Sequence, residues 1–388
     1  MINYRWFRGS SSSVMDGDTT KDLLKKIAFN SHNHTSVRSK IPKPTMVISY
    51  DDSAQEDYTL AFPVHQQYGV PGEINCISDF MLGLGTYSHG GTNLPLTIEQ
   101  AIEMQEFGFE VTVQGKRHVS LGLERVYKDI VAGDNKLYMG TAHRWTHALP
   151  LKILVTSKNN ANQEEVYAID KGVDPEDGRE YLITEQPFLY SYPFGYAGFR
   201  ITDEEVETEI KGCMDALTDM GLHVSKHHTH PYSATNWATT RIIKKHCVSS
   251  RGGITGIMVP GGVDVFPTYQ FRSNVEPTAY SQASIDLYLD DLRDSNGLSF
   301  VLEHSWSGGF SIANLAYLIE GALARGIDIT TRTKALERFG NLMDLGDPFT
   351  SDNFYDNPSK QNQPFFTVDR TGKTFTNIED MADLIKMP

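Results

Sequence analysis

The chain has 388 residues, 22% of them charged and 39% hydrophobic, enough length to bury a full core in one large domain or two to three ordinary ones. Its 49 acidic and 35 basic residues give a net charge of -14, which argues against nucleic acid or an anionic membrane surface as the main partner, since both reward clustered Lys and Arg. The three cysteines, Cys76, Cys213 and Cys247, form no Cys-x-x-Cys pair, so buried thiols are expected, not a disulfide framework or a thiolate zinc site.

Residues 1–44 read as an arm or attachment segment. Met1 to Ser13 holds Arg5, Arg8 and a serine run without a continuous apolar stretch, so neither a signal peptide nor a membrane span is visible and synthesis in the cytoplasm is expected. Only Asp22 to Phe29 has a helical stripe. Thr45 to Tyr50 then form an apolar, β-branched run between Pro44 and Asp51, the pattern of a buried strand in a parallel sheet. Asp51 and Asp52 stand at its carboxyl end, where α/β folds gather ligands. Neighbouring side chains on an extended segment point to opposite sides, so the two acids can split two tasks, one binding a metal and the other acting as a base. The same Asp-Asp-Ser cluster also reads as a plain turn and helix cap.

A helix around Asp57 to Gln67, a strand Glu73 to Phe80 and a Gly-rich loop from Gly83 to Gly91 follow. His89 in that loop reads as solvated. Thr97 with Gln100 makes a capping box for a helix ending near Gly108, and Phe109 to Val113 is the next strand. From Leu121 to Arg200 the rhythm breaks: strand-like runs at Leu149 to Thr156, Glu165 to Ile169 and Tyr181 to Thr184 appear without a convincing helix. The alternating Phe188, Tyr190, Tyr192 and Phe194 read as sheet packing, with stacking on sugar rings as the other reading. Residues 121–200 are therefore expected to form an inserted β-rich domain.

A second capping box, Thr202 with Glu205, opens a helix to about Gly221, and a strand runs from His223 to His230. His227, His228 and His230 alternate in facing, which favours groove lining or surface placement over metal ligation. Next come a helix Trp237 to His246, a strand near Ile254 to Val259, a helix Ser281 to Asp294 and a strand Ser299 to Leu302 tipped by Glu303 and His304. A long helix striped by Leu315, Leu318, Ile319, Ala322 and Leu323 ends at Gly326, and Ile327 to Thr330 is a last short strand. Residues 341–388 are a polar tail rich in Asn, Asp and Pro.

Four strand ends thus carry Asp51 with Asp52, Gln114 with His118, Pro231 with Tyr232, and His304. In this order they resemble the motifs of the polysaccharide deacetylase family, the NodB-homology or carbohydrate esterase family four. Ser49 to Ser53 is similar to its Thr-Phe-Asp-Asp-Gly motif, and Gly108 to Val111 leading to Gln114 and His118 is similar to its Gly-His-Glu-Ile stretch with His-x-x-x-His. Pro231, Tyr232 and Ser233 resemble Pro-Tyr-Gly, and Leu302, Glu303 and His304 resemble Leu-x-His.

The resemblance implies a deformed (β/α) barrel, residues 45–120 and 201–340, around the inserted domain. It implies Asp51 as general base, His304 as general acid and the Tyr232 backbone N–H as an oxyanion donor, with Pro231, His230 and Trp306 against the substrate. Asp52, His118 and Gln114 would hold a divalent metal, zinc by expectation. Gln114 stands where the family carries a His, and an amide oxygen is a poorer zinc ligand than imidazole. Thr229 stands where the family has an Arg, and no tryptophan-flanked acidic motif like its fourth is found. The implied activity is N-deacetylation of an N-acetylated polysaccharide such as a cell-wall glycan. The alternative is a glycan-recognising or structural component of a larger assembly or homo-oligomer, as in phage tails, acting at a bacterial surface.

Overall fold

The computed structural model describes residues 43–84, 94–140, 143–157, 161–252, 257–258 and 273–343. The expected helix Asp22 to Phe29, His89 with most of its loop, most of the expected strand near Ile254 to Val259, and the polar tail lie outside them. The strands are β1 (Thr45–Tyr50), β2 (Glu73–Cys76), β3 (Glu110–Val113), β4 (Glu124–Arg125), β5 (Lys136–Tyr138), β6 (Leu151–Ser157), β7 (Gln163–Val173), β8 (Glu180–Thr184), β9 (Ala197–Ile201), β10 (Val224–Thr229), β11 (Ser249–Arg251), β12 (Ser273–Val275), β13 (Leu298–Glu303) and β14 (Asp328–Ile329).

β1 is buried at every position because it is paired on both edges in the middle of an eight-stranded parallel sheet. The strand order is β11, β10, β3, β2, β1, β13, β12, with β14 as the eighth strand on β1. One edge of β1 is taken by β13, in register from Thr45 opposite Leu298 to Tyr50 opposite Glu303. The other is shared: β14 pairs with Thr45 and Met46, and β2 with Ser49 and Tyr50. Met46, Val47 and Ile48 are fully buried, each contributing roughly 1.5–3 kcal/mol of apolar burial. Helices between the strands give the βα alternation of a parallel architecture, and β11 and β12 are not paired with each other among the described residues. Among the described residues the expected deformed (β/α) barrel is therefore open between these two strands.

The β-rich insertion is a second, antiparallel sheet ordered β4, β9, β6, β7, β8, β5, sharing no strand with the first. Along β6, Leu151, Ile153 and Val155 face inward, the period-two signal read from the sequence. Three of its strands, β4, β5 and β9, were not foreseen, nor was the short helix His143–Thr146. The aromatic series is no strand: Phe188 and Tyr192 are buried, Tyr190 and Phe194 are exposed, and one bridge joins Tyr192 to Ile130. The inward residues are four apart, so the period-two reading is corrected. One continuous apolar core joins Ile48 and Val113 of the parallel sheet to Trp145 and Phe199 of the insertion. Asn236 ties them further, its Nδ2 donating to the Leu121 carbonyl at 2.7 Å.

Among the described residues no helix is long and apolar enough to cross a membrane.

Candidate active site

The backbone turns sharply where β1 ends. Asp51 still donates its N–H to the Glu303 carbonyl at 3.1 Å, continuing the ladder, but Asp52 and Ser53 take positive φ values of 78° and 54°. Both acids are buried, at 3% and 4% exposure, so each charge needs compensation. Asp51 obtains it through Oδ1, which accepts from Asn75 Nδ2 at 2.7 Å and from the Arg251 guanidinium. Its Oδ2 accepts no hydrogen bond among the described residues. Burial pushes the Asp51 carboxyl above its ordinary range, while the Arg251 and His304 charges pull it part of the way back.

At the end of β3, Gly115 at φ 104° opens a turn that Arg117 anchors. Arg117 Nε donates to Glu209 Oε1 at 2.7 Å and its main-chain N–H donates to Glu209 Oε2 at 2.9 Å. That anchor presents His118, itself at φ 61°, with its Nε2 at 3.2 Å from Asp52 Oδ1. Gln114 lies between the two. The main-chain N–H of Asp52 donates to Gln114 Oε1 at 2.7 Å, which directs Gln114 Nε2 to Asp52 Oδ1 at 2.9 Å and toward His118 Nε2 at 3.3 Å. A cation held by Asp52, Gln114 and His118 would need lone pairs from all three, and the middle one offers N–H groups. The three residues in this arrangement do not fit a divalent metal.

His304 follows β13 as Asp51 follows β1, one step beyond the register pair Tyr50 and Glu303. Its Nδ1 donates to Glu276 Oε1 at 2.7 Å and its Nε2 lies 3.6 Å from Asp52 Oδ2. The side chain keeps 24% of its surface open to solvent. Burial works against a charged imidazole, yet the hydrogen bond to Glu276 and the charges of Asp52 and Asp51 outweigh it and raise His304 to about 9. Ser305 is fixed behind it by a hydrogen bond to the buried Asp57. Trp306 packs its ring 5.2 Å from the imidazole.

The structure thus brings Asp51, Asp52, Gln114, His118 and His304 together, with Tyr232 over the His118 ring at 4.6 Å. The half-buried Tyr232 also lies under the Arg144 guanidinium at 5.6 Å, so the insertion reaches the site's rim. Pro231 and His230 are set back and buried; His230 Nε2 pairs with Ser250 Oγ at 2.9 Å toward β11. The expectation that His227, His228 and His230 line a groove or the surface is corrected: all three are buried, because the end of β10 from His227 to Thr229 is covered on both faces. A carboxylate does accompany His227, with Glu110 Oε1 at 3.6 Å.

Asn75, Arg251 and Glu276 were missed in the sequence. Asn75 had a readable signal, a polar residue inside an apolar strand that must find partners. It donates to Ser49 Oγ, to the Tyr50 carbonyl and to Asp51, and accepts from Thr229 Oγ1 at 2.6 Å. Arg251 and Glu276 sit at the ends of three-residue strands that carry no periodicity.

No family model and no curated protein matches the chain in sequence. Among solved structures it is similar to the Xyl-CE4 domain of a multidomain xylanase from the hindgut metagenome of Trinervitermes trinervoides, at 11% identity and TM-score 0.40, covering 77% of this chain and 92% of that one. It is also similar to a family 4 acetyl xylan esterase from Clostridium thermocellum in complex with a cobalt ion, at 11% identity and TM-score 0.41, covering 76% and 92%. A third is a CE4 family pseudoenzyme from Bacillus anthracis, at 6% identity and TM-score 0.41, covering 77% and 67%.

Proposed function

We propose that the strand-end site hydrolyses the N-acetyl amide of a glycan, such as a bacterial cell-wall polysaccharide. The observation that carries this reading is the placement of Asp51 and His304 just past the ends of adjacent, in-register strands, with His304 Nε2 at 3.6 Å from Asp52 Oδ2. One is a buried carboxylate whose Oδ2 accepts no hydrogen bond among the described residues; the other is an imidazole that stays protonated up to about pH 9. Asp51 takes a proton from water through Oδ2 as the water oxygen bonds to the acetyl carbon. The oxyanion is received by the Tyr232 N–H. His304 then gives its Nε2 proton to the leaving nitrogen as the C–N bond breaks, yielding acetate and a free amine. No step passes through a metal.

Backbone strain supports a functional site here. Among the described residues seven non-glycine residues have positive φ, and Asp52, Ser53, His118, Tyr232, Ser233 and Glu276 belong to this cluster, Asn296 lying outside it. Such conformations cost of order 1 kcal/mol or more each and persist where function holds them. The substrate class rests on the motif resemblance. The test is acetate release from N-acetylated oligosaccharides by the wild type and by Asp51→Asn, which keeps the shape of the side chain but cannot take the proton. Loss of release in the variant, with the fold intact, supports the reading. A wild type that releases no acetate across the panel ends it, whether or not glycan binding remains.

A further inference from the structure

Gln114 is oriented by a donor that cannot reverse its role. The Asp52 main-chain N–H only donates, so the atom facing it at 2.7 Å must be the amide oxygen. The NH₂ group is then committed to Asp52 Oδ1 at 2.9 Å and directed at His118 Nε2. Reversing the amide would set two oxygens against each other at Asp52 Oδ1 and two donors against each other at Asp52 N. With Asp52, Gln114 and His118 all 4% exposed or less, water has little room to relieve either contact.

We propose that the Gln114 amide takes the place of a divalent cation, holding Asp52 and His118 together by hydrogen bonds so that this pair binds no metal in the native chain. The compensating charges in the site are then organic. Arg251 serves Asp51, and His304 serves Asp52. Because Gln114 is the obstacle, replacing it by a residue with a ring nitrogen lone pair should turn the same three positions into a metal site. The inference rests on the hydrogen bonds of this chain and stands apart from the acetyl-hydrolysis reading, since metal uptake and acetate release are measured separately.

The experiment titrates the full-length protein, wild type and Gln114→His, with Co²⁺ and Zn²⁺, read by calorimetry and by the visible absorption of bound cobalt. The wild type should show no saturable uptake that depends on Asp52, and its melting temperature should not respond to a chelator. Gln114→His should take up one ion per chain, and adding Asp52→Asn to it should abolish that uptake. Wild-type uptake of one ion per chain that is lost in Asp52→Asn overturns the proposal. So does a folded Gln114→His that gains no ion, since Gln114 would then not be the obstacle. Uptake that survives Asp52→Asn lies elsewhere and leaves the proposal standing. If Gln114→His fails to fold, the wild-type titration against Asp52→Asn decides alone.

Discussion

Thr229 and Arg251 face each other in register across β10 and β11. Thr229 occupies the position where the motif resemblance calls for an Arg, and it donates to Asn75 Oδ1 instead. The guanidinium arrives from the strand alongside and reaches Asp51. A charge that looks lost along one strand has been supplied laterally by its neighbour.

Removing that guanidinium should leave Asp51 as a buried carboxylate without its ion-pair partner. Arg251→Met is expected to lose about 3–5 kcal/mol of unfolding free energy, as breaking a buried pair from one side does. Urea unfolding measures it. The exchange Thr229→Arg with Arg251→Thr should recover part of the loss; an exchange no better than Arg251→Met alone would show that the two positions are not interchangeable.

Glu276 should set the protonation of His304. In Glu276→Gln the charge is gone while a hydrogen-bond acceptor remains, so the imidazole should titrate below its native value of about 9, by roughly one unit or more. A general acid works only while protonated, so acetate release should fail at lower pH in the variant than in the wild type. Proton NMR of the His304 ring follows the same shift without any activity. An unchanged titration would remove Glu276 from this role.

His65 predicts an acid-side loss of stability. Its Nδ1–H donates to the Val70 carbonyl at 3.0 Å and its Nε2 accepts from the Tyr50 hydroxyl at 2.8 Å, fixing a neutral ring. Burial lowers it from 6.5 to about 4, against a partial rise from backbone hydrogen bonds. The unfolded chain therefore binds the proton first as pH falls, and stability present above pH 6.5 should drain away down to about 4. The amount is on the order of 3 kcal/mol. His65→Gln, which cannot charge there, should lose less stability between about pH 7 and about pH 4.5. Equal losses in wild type and variant would rule the histidine out as the cause.

What could be read from the sequence were the elements with a one-dimensional signature. β1 and β13 are continuous apolar runs, and Trp237–His246 was delimited to the residue by its amphipathic period. The Thr202 cap was half right: Thr202 Oγ1 accepts from the Glu205 N–H at 3.4 Å. The Glu205 side chain, however, goes to Arg117 and the Lys152 N–H, because tertiary partners outbid the local box. Illegible were the residues whose role comes from register. Ser249–Arg251 shows no pattern in the chain, and only pairing with β10 brings Arg251 to Asp51. Likewise Glu276 meets His304 because β12 lies beside β13. The polarity of the Gln114 amide could not be read either, since it depends on a main-chain donor 62 residues away.

The ladder around β1 also dictates an order of assembly. Thr45 is made early, yet its partners Leu298 and Asp328 come near the far end of the described chain, and ladders between such distant segments close slowly. The hairpin-like ladders among β6, β7 and β8 join closer neighbours and are free to form first. During synthesis Asp51 and Asp52 would emerge long before His304 and Arg251 exist to receive them. A nascent or truncated chain ending before Ser249 therefore carries its acids with neither of those cationic partners, and one ending before Leu298 still lacks His304, so the site is among the last features of the molecule to take shape.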